Sequence, residues 1–435
     1  MERGGNRDTY DISPCSFELH RRRRRLHCAD ETKARTERKN TMRKFSLFVV
    51  GVGFLAFYSF SSSQTGMSHH AQETIVRFDD SASVVVVEAI NRHELSLADQ
   101  IIDAELEKDP ASLRWLFLRS IRYYTDIFGP GVRNTEALAK MRDNAEKVIE
   151  IGEERLEKNP MDLDALFYAG GAYGYLGIAM AADGSMFSGV GKAKKGFNYH
   201  EDLIELCPAC YDAYLSPGMM NLMTSAAPWF LQPILWVFGL SGTEAKAYEY
   251  LSMAFEKGKL VRLEAGTYLA QLYERRKEFR KSYEIYSELL HKYPMRVGLC
   301  AESLSPLWRE NRYDDILAAT GSTMKMFQSG QYSLTRGDSA WMSSIVTLNA
   351  RAYRDKGDTI SAVKVLENFL HAKEYQSIDK WGAHSTLAEL YMGQRDTTRA
   401  ITHYKEILAS NVSEKTKKSI QERVEELEES RKLRD

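Results

Sequence analysis

The chain has 435 residues, 43% hydrophobic and 27% charged, enough for two or three ordinary domains or one extended array. Its net charge of −1 is unevenly spread: residues 1–44 carry thirteen Lys and Arg against seven Asp and Glu, which leaves −7 for the remainder. A mildly acidic body excludes the phosphate-binding surface that a nucleic-acid partner needs, and five cysteines are too few for a fold built on disulfides.

The first feature in chain order is a basic leader. The run Arg21 to Arg25 has the composition of a nucleic-acid or nuclear-targeting patch. A second start lies downstream, where Met42-Arg43-Lys44 precedes an uncharged run from Phe45 to Phe60 and then Ser61-Ser62-Ser63-Gln64. A short basic segment, a 16-residue apolar core and small residues make a secretory signal. A spanning helix needs about 20 apolar residues, so the run is short for one. Two readings stay open. A signal cleaved within 42–63 gives an exported, periplasmic or envelope-associated bacterial protein. An uncleaved signal anchor instead holds the chain in the inner membrane through residues 45–60. In both, the Arg-rich side stays cytoplasmic, and residues 1–41 read as a disordered or mis-started leader. Residues 64–82 are polar and small, and read as a linker.

From residue 83 the pattern is helical, and the prolines punctuate it. Asp109-Pro110, Asn159-Pro160, Cys207-Pro208 and Tyr293-Pro294 each close a Leu- and Glu-rich helix. Ala98, Ile102 and Leu106 mark a first unit. Trp115, Leu116, Leu118 and Ile121 mark one helix of a second and Val148, Ile149 and Leu156 the other, with a break at Phe128-Gly129-Pro130-Gly131. Ala165, Leu166, Ala169, Gly170 and Tyr173 open a third. Residues 263–296 then form one helix–turn–helix unit of 34 residues, with Leu269, Ala270 and Tyr273 on one face and Tyr283, Tyr286, Leu289 and Leu290 on the next. Ala350, Tyr353, Gly357, Ala362, Leu366 and Leu370 mark a later unit, and Leu387, Ala388, Tyr391, Ala400, Tyr404 and Leu408 the last. Residues 413–435 form a charged helix with Ile420, Val424 and Leu427 at helical spacing, suited to capping an open repeat face.

These residues resemble the tetratricopeptide (TPR) superfamily over 83–412. The resemblance implies an all-α, TPR-type helical-hairpin solenoid with an apolar insertion and a C-terminal capping helix. Residues 160–296 resemble an uncharacterised bacterial family of exported TPR proteins, through Ala169-Gly170-Gly171-Ala172-Tyr173-Gly174, Tyr211-Asp212-Ala213-Tyr214-Leu215 and Phe238-Gly239-Leu240-Ser241-Gly242. The last of these turns and its flanks are also similar to the eukaryotic TPR family linked to inclusion-body clearance at mitochondria and lipid droplets. Neither resemblance carries a catalytic residue.

No stretch assembles an enzyme. The Gly-rich segment 184–196 lacks the spacing of a phosphate loop, since Met186 stands where a Gly is needed and Ala193 where Ser or Thr is needed. It reads as a flexible inter-helix loop with a basic tip. Cys207-x-x-Cys210 reads as a local disulfide, two half-buried thiols, or a redox or metal pair, with His200 and Cys300 the only further ligands at hand. His384 and His403 share one repeat and are placed to approach each other. No metal, cofactor or catalytic residue is expected.

The stretch 213–243 is uncharged over 31 residues. One reading folds it into the concave face as buried structure. Another makes Met219, Met223, Trp229, Phe230, Trp236 and Phe238 an apolar-ligand or membrane contact, since Trp and Phe suit an interface and Met adapts to greasy partners. Pro228, Pro233, Asn221 and Gln232 disfavour a spanning helix.

In TPRs the ligand-facing positions are the second, fifth, ninth and twelfth of each first helix. Here they are Glu264, Thr267, Gln271 and Glu274, then Ser344, Thr347, Arg351 and Arg354, then Ser385 and Glu389. The Lys and Asn of a chaperone-type carboxylate clamp are absent from the fifth and ninth positions, while Arg351 and Arg354 offer an acidic partner two cations. The expected function is a non-enzymatic scaffold or adaptor that binds a protein or peptide in the cell envelope. The alternative is an apolar-ligand or membrane-associated carrier or tether using residues 219–240.

Overall fold

A computed structural model describes residues 81–129, 132–230, 232–237, 239–329, 336–376, 378–410 and 412–432. The leader, the signal and residues 64–80 of the linker lie outside them, as does Phe238. Helix α1 (Ser81–Asn91) takes in the last two residues expected for the linker.

Eighteen helices follow among the described residues: α1, α2 (Leu95–Lys108), α3 (Leu113–Tyr124), α4 (Thr135–Lys158), α5 (Leu163–Ala182), α6 (Met186–Leu206), α7 (Leu215–Ala226), α8 (Gln232–Val237), α9 (Glu244–Lys257), α10 (Arg262–Arg275), α11 (Phe279–Lys292), α12 (Val297–Arg309), α13 (Tyr313–Gln328), α14 (Arg336–Asp355), α15 (Thr359–His371), α16 (Trp381–Gly393), α17 (Thr397–Ala409) and α18 (Glu414–Lys432). Successive pairs form antiparallel hairpins, with α7 and α9 the fourth, and α18 packs on α17 as an end helix. The fold is an all-α array of TPR-type hairpins. Its sole β structure among the described residues is a two-residue ladder, β1 (Phe128–Gly129) antiparallel to β2 (Val132–Arg133), at the break between α3 and α4.

The prolines act as their chemistry dictates. A proline disfavours helical backbone in the residue before it. Accordingly α2, α4, α6 and α11 end at Lys108, Lys158, Leu206 and Lys292, and Asp109, Asn159, Cys207 and Tyr293 turn out of the helix with φ between −142° and −128°. The turns inside hairpins use a different device. His93, Lys277, Asn311, Gly357 and Arg395 each take left-handed φ, from 55° to 88°. The next N–H then bonds back to the carbonyl five residues earlier, at 2.8–2.9 Å, as in Glu278 to Tyr273 and Asp396 to Tyr391. This is the Schellman closure, and it satisfies helix-end carbonyls that would otherwise be orphaned.

Burial follows the array. One apolar cluster runs from Val86 to Leu260, a second from Tyr214 to Leu299 and a third from Val297 to Leu427. Each hairpin therefore buries its apolar face mainly against its neighbours, as a solenoid requires.

The Gly-rich segment 184–196 is not a loop. Apart from its first two residues it is the start of α6, and its glycines allow that helix to lie close against α5. A Cβ on Gly189 would come within 2.6 Å of the Gly177 carbonyl oxygen, and one on Gly196 would overlap the carbonyl oxygen of Gly170. The uncharged stretch divides. Helix α7 joins the core through Pro217, Gly218, Met220 and Leu222, and its polar groups are satisfied locally: Asn221 donates to the Pro217 carbonyl at 2.9 Å and Thr224 to that of Met220 at 2.7 Å. The connection after it protrudes, held by buried Leu235 and Leu240. No helix among the described residues is long and apolar enough to cross a membrane.

Asp212 secures the junction between the fourth and fifth hairpins. Its Oδ1 accepts the backbone N–H groups of Lys259, Leu260 and Val261 at 2.9, 2.8 and 3.1 Å, just before α10. Replacing Asp212 with Ala orphans these donors and is expected to cost about 2–4 kcal/mol in urea unfolding. Asp212→Asn, which keeps an acceptor oxygen, should cost less than half as much, and equal losses would contradict the capping role.

Candidate functional site

The array winds far enough to bring its first helix against the fifth to seventh hairpins. Glu88 on α1 accepts from Lys292 Nζ at 2.6 Å and from the Tyr293 hydroxyl at 2.9 Å. Asn91 Oδ1 accepts from Arg296 at 2.8 Å, and His93 Nε2 meets Asp338 Oδ2 of α14 at 2.6 Å. The β1–β2 ladder also lies beside α14. The inner faces of α3, α5, α10 and α12 are thereby gathered around one space.

Five side chains of these helices lie within electrostatic reach of one another there. Tyr124 and Tyr175 meet edge to face, with ring centroids 4.9 Å apart. Glu264 and Tyr268 come from α10 and Glu302 from α12. The 34-residue step puts Glu302 at the register position that Tyr268 occupies one hairpin earlier. All five keep partial solvent contact, yet protein crowds them strongly. Burial, and then the charges of Glu264 and Glu302, push the Tyr124 hydroxyl up to about 12. Burial raises Tyr175 and Tyr268 too, each reinforced by Glu264 and Tyr124. Burial lifts the Glu264 carboxyl, against the pull of its own N–H and of Arg296. Glu302 rises to about 7, through burial first and then the neighbouring charge of Glu274. Among the described residues, neither the Glu302 carboxyl nor the Tyr175 and Tyr268 hydroxyls have a hydrogen-bond partner.

The groove positions expected on α10 and α14 fall into two groups. Glu264, Thr267, Gln271 and Glu274 are all partly open to solvent. Thr267 donates to the Leu263 carbonyl at 2.9 Å, and Glu274 accepts the Ser305 hydroxyl at 2.6 Å. On α14, Thr347 donates to the carbonyls of Ser343 and Ser344 at 2.8 and 2.9 Å. Ser344 and, on α16, Ser385 are half-buried. The two arginines do not form an open acidic-peptide site. Arg354 pairs with Asp355 at 2.8 Å and with Glu389, another expected groove residue, at 3.7 Å. Arg351 is half-buried, its Nε enclosed and without a partner. Tyr124, Tyr175, Tyr268 and Glu302 were not anticipated. Register arithmetic extended to the sixth position finds the last two; the first two depend on how the array closes.

The apolar contact residues also separate. Met219 and Met223 are half-buried on α7, whereas Trp229, Trp236 and Phe230 are 84%, 74% and 53% exposed on the following connection. Cys207 and Cys210 are joined in a disulfide, with Cα atoms 5.5 Å apart. His200 is buried, donating from Nε2 to the Phe167 carbonyl at 2.9 Å and meeting Ser216 Oγ through Nδ1 at 2.6 Å. With both ring nitrogens engaged and both cysteines bonded, the ligand set weighed for zinc keeps one free thiol, the buried Cys300. Burial holds His200 down to about 4, so it is neutral at ordinary pH. His384 and His403 meet at 3.0 Å through their Nδ1 atoms, both lowered by burial. A separate cleft of 520 Å³ between α4, α5 and α6 holds the ion pairs Arg142–Asp183 and Glu153–Lys195, with Glu146, Glu150 and Lys192 also on its wall.

No protein-family model matches the sequence, and no curated protein matches it. Among solved structures the fold is similar to yeast Tom70, at 14% identity and a TM-score of 0.40, over 81% of this chain and 89% of that one. It is similar to the APC/C hetero-tetramer Cut9–Hcn1, at 14% identity and a TM-score of 0.44, over 81% of this chain and 57% of that one. A thermophilic TPR protein of Thermus thermophilus, TTC0263, matches at 16% identity and a TM-score of 0.33, over 52% of this chain and 97% of its own. These likenesses concern the repeat fold and nothing further.

Because the folded Glu302 carboxyl titrates above its ordinary value of 4.5, the stability tied to it is present below that value and lost as pH rises through about 7. Glu302→Gln is therefore expected to leave the urea midpoint unchanged near pH 4 and to raise it at pH 8. The same change at both pH values would refute the burial of this carboxyl.

Proposed function

We propose that the chain is a non-enzymatic adaptor of the cell envelope that holds an extended segment of a partner protein along the inner faces of α10, α12 and α14. The observation that carries this reading is the inner wall itself, where polar groups of three helices, Tyr175 of α5, Tyr268 of α10 and Glu302 of α12, keep solvent contact without hydrogen-bond partners among the described residues. A rigid array displaying such a wall is suited to binding, and among the described residues no group of three or more His, Cys, Asp and Glu is placed to hold a metal ion. Export is supported by the apolar run 45–60 behind Met42-Arg43-Lys44 and by the Cys207–Cys210 disulfide, which an oxidising compartment preserves.

A photo-crosslinking residue at Gln271, on the groove side of α10, should capture discrete envelope proteins that the same probe at exposed Glu284 of α11 does not. Identical patterns at the two sites would refute groove binding. N-terminal sequencing of the mature protein tests export, and intact residues 1–41 would refute it.

A second reading draws on the aromatic connection between α7 and α9. Trp229, Phe230 and Trp236 present large apolar rings to water, an arrangement suited to the interfacial layer of a bilayer. Vesicles of phosphatidylglycerol and phosphatidylcholine should co-sediment the protein, and Trp229→Ser with Trp236→Ser should reduce the bound fraction about tenfold or more, consistent with the apolar area withdrawn. Equal sedimentation of the variant, with melting unchanged, would remove the membrane role.

A further inference from the structure

We propose that the space bounded by Tyr124, Tyr175, Tyr268, Glu264 and Glu302 is a recognition site for a cationic side chain, the Lys or Arg of a basic segment lying in the groove. The proposal rests on the groove reading above and reverses the charge that Arg351 and Arg354 had implied for the partner.

Three observations converge. First, the lining comes from four helices far apart in sequence, gathered by the ties of α1 to Lys292, Tyr293, Arg296 and Asp338. The space is thus a product of the whole array, unlike an acidic run on one helix. Second, its chemistry is mixed: three tyrosines and two carboxyls lie within electrostatic reach of one another. Ring faces and carboxylates attract the same class of guest, a cation, by quadrupole and charge respectively. Third, the polar heads are uncommitted. Glu302, Tyr175 and Tyr268 have no hydrogen-bond partner among the described residues, and Glu264 uses only its own N–H.

The neighbouring carboxylates are already occupied. Asp212, which faces Glu264, is spent on three backbone N–H groups. Glu274, which faces Glu302, holds the Ser305 hydroxyl and feels Arg309. Arg296, which lies near Glu264, Tyr124 and Tyr175, donates to the neutral Asn91 amide and keeps its charge, with its Nε enclosed and unpartnered. An anionic guest would meet Glu302 and Glu264 directly, and an apolar one would strip water from both carboxyls without replacing it. A lysine or arginine head does neither.

The titration of Glu302 supplies a signature. The groups facing it are the charged Glu274 on α10 and the hydroxyls of Tyr124, Tyr268 and Tyr286, and these hydroxyls stay protonated. With Glu302 at about 7, its ionised fraction rises about tenfold between pH 6 and pH 8, and affinity for a cation should rise in step.

The test uses the full chain and two fluorescein-labelled nonapeptides, one of alternating Lys and Gly and one of alternating Glu and Gly, read by anisotropy. The Lys peptide should bind, about tenfold more tightly at pH 8 than at pH 6, and the Glu peptide should not. Glu302→Gln should abolish the pH dependence, while Glu284→Gln on the outer surface should leave it intact. Preference for the Glu peptide, or a pH dependence that survives Glu302→Gln, overturns the proposal. The crosslinker at Gln271 separates the two levels. If wild type and a Glu264→Gln, Glu302→Gln double variant capture the same partner equally, the cation site falls and the groove stands. If wild type captures nothing through Gln271, both fall.

Discussion

Everything distinctive about the inner wall depends on one constraint: α1 is bound to residues more than 200 positions downstream. Glu88, Asn91 and His93 reach Tyr293, Arg296 and Asp338, and by doing so they set how far the array can open. Repeat packing alone fixes each hairpin against its neighbours. It does not decide whether α3 and α5 face α10 and α12 across a narrow space or a wide one. The polar ties decide that, and Tyr124, Tyr175, Glu264 and Glu302 influence one another only because the ties hold.

Two acidic residues close to this wall show how the same functional group serves opposite ends. Asp212 is buried and fully engaged, its Oδ1 shared by three consecutive N–H groups, so it stabilises a junction. Glu302 is crowded and unengaged, and its carboxyl is lifted to about 7. The first is structure. The second is a cost that a purely structural array has no reason to carry, since uncompensated polar groups in crowded surroundings destabilise the fold.

Local chemistry made much of this readable in advance. The four X-Pro stops end their helices two residues before the proline, and the 34-residue spacing located α10 and α11 closely. What escaped did so for physical reasons. Glycines in 184–196 imply a loop when judged by propensity, but tight packing against α5 outweighs that preference. The hairpin α12–α13 was passed over because Ser303, Ser305 and Pro306 interrupt the apolar pattern of α12. In the uncharged stretch, periodicity cannot separate α7, which is core, from the connection that exposes Trp229 and Trp236. The wall itself was invisible because it depends on contacts between polar side chains at long separation, which no periodicity encodes.

The ties of α1 also change what kind of mechanical object the array is. An open solenoid behaves as a spring, extending by small rotations shared among all its joints. Here the first seven hairpins form a loop latched by α1, while the eighth hairpin and α18 continue beyond the latch. Tension between the two ends would load the latch before it could spread into the joints. The chain would resist as a stiff body up to the rupture of a few hydrogen bonds and then lengthen abruptly. If the apolar run at 45–60 holds the chain at a membrane, that latch is the first element to feel a pull from a bound partner.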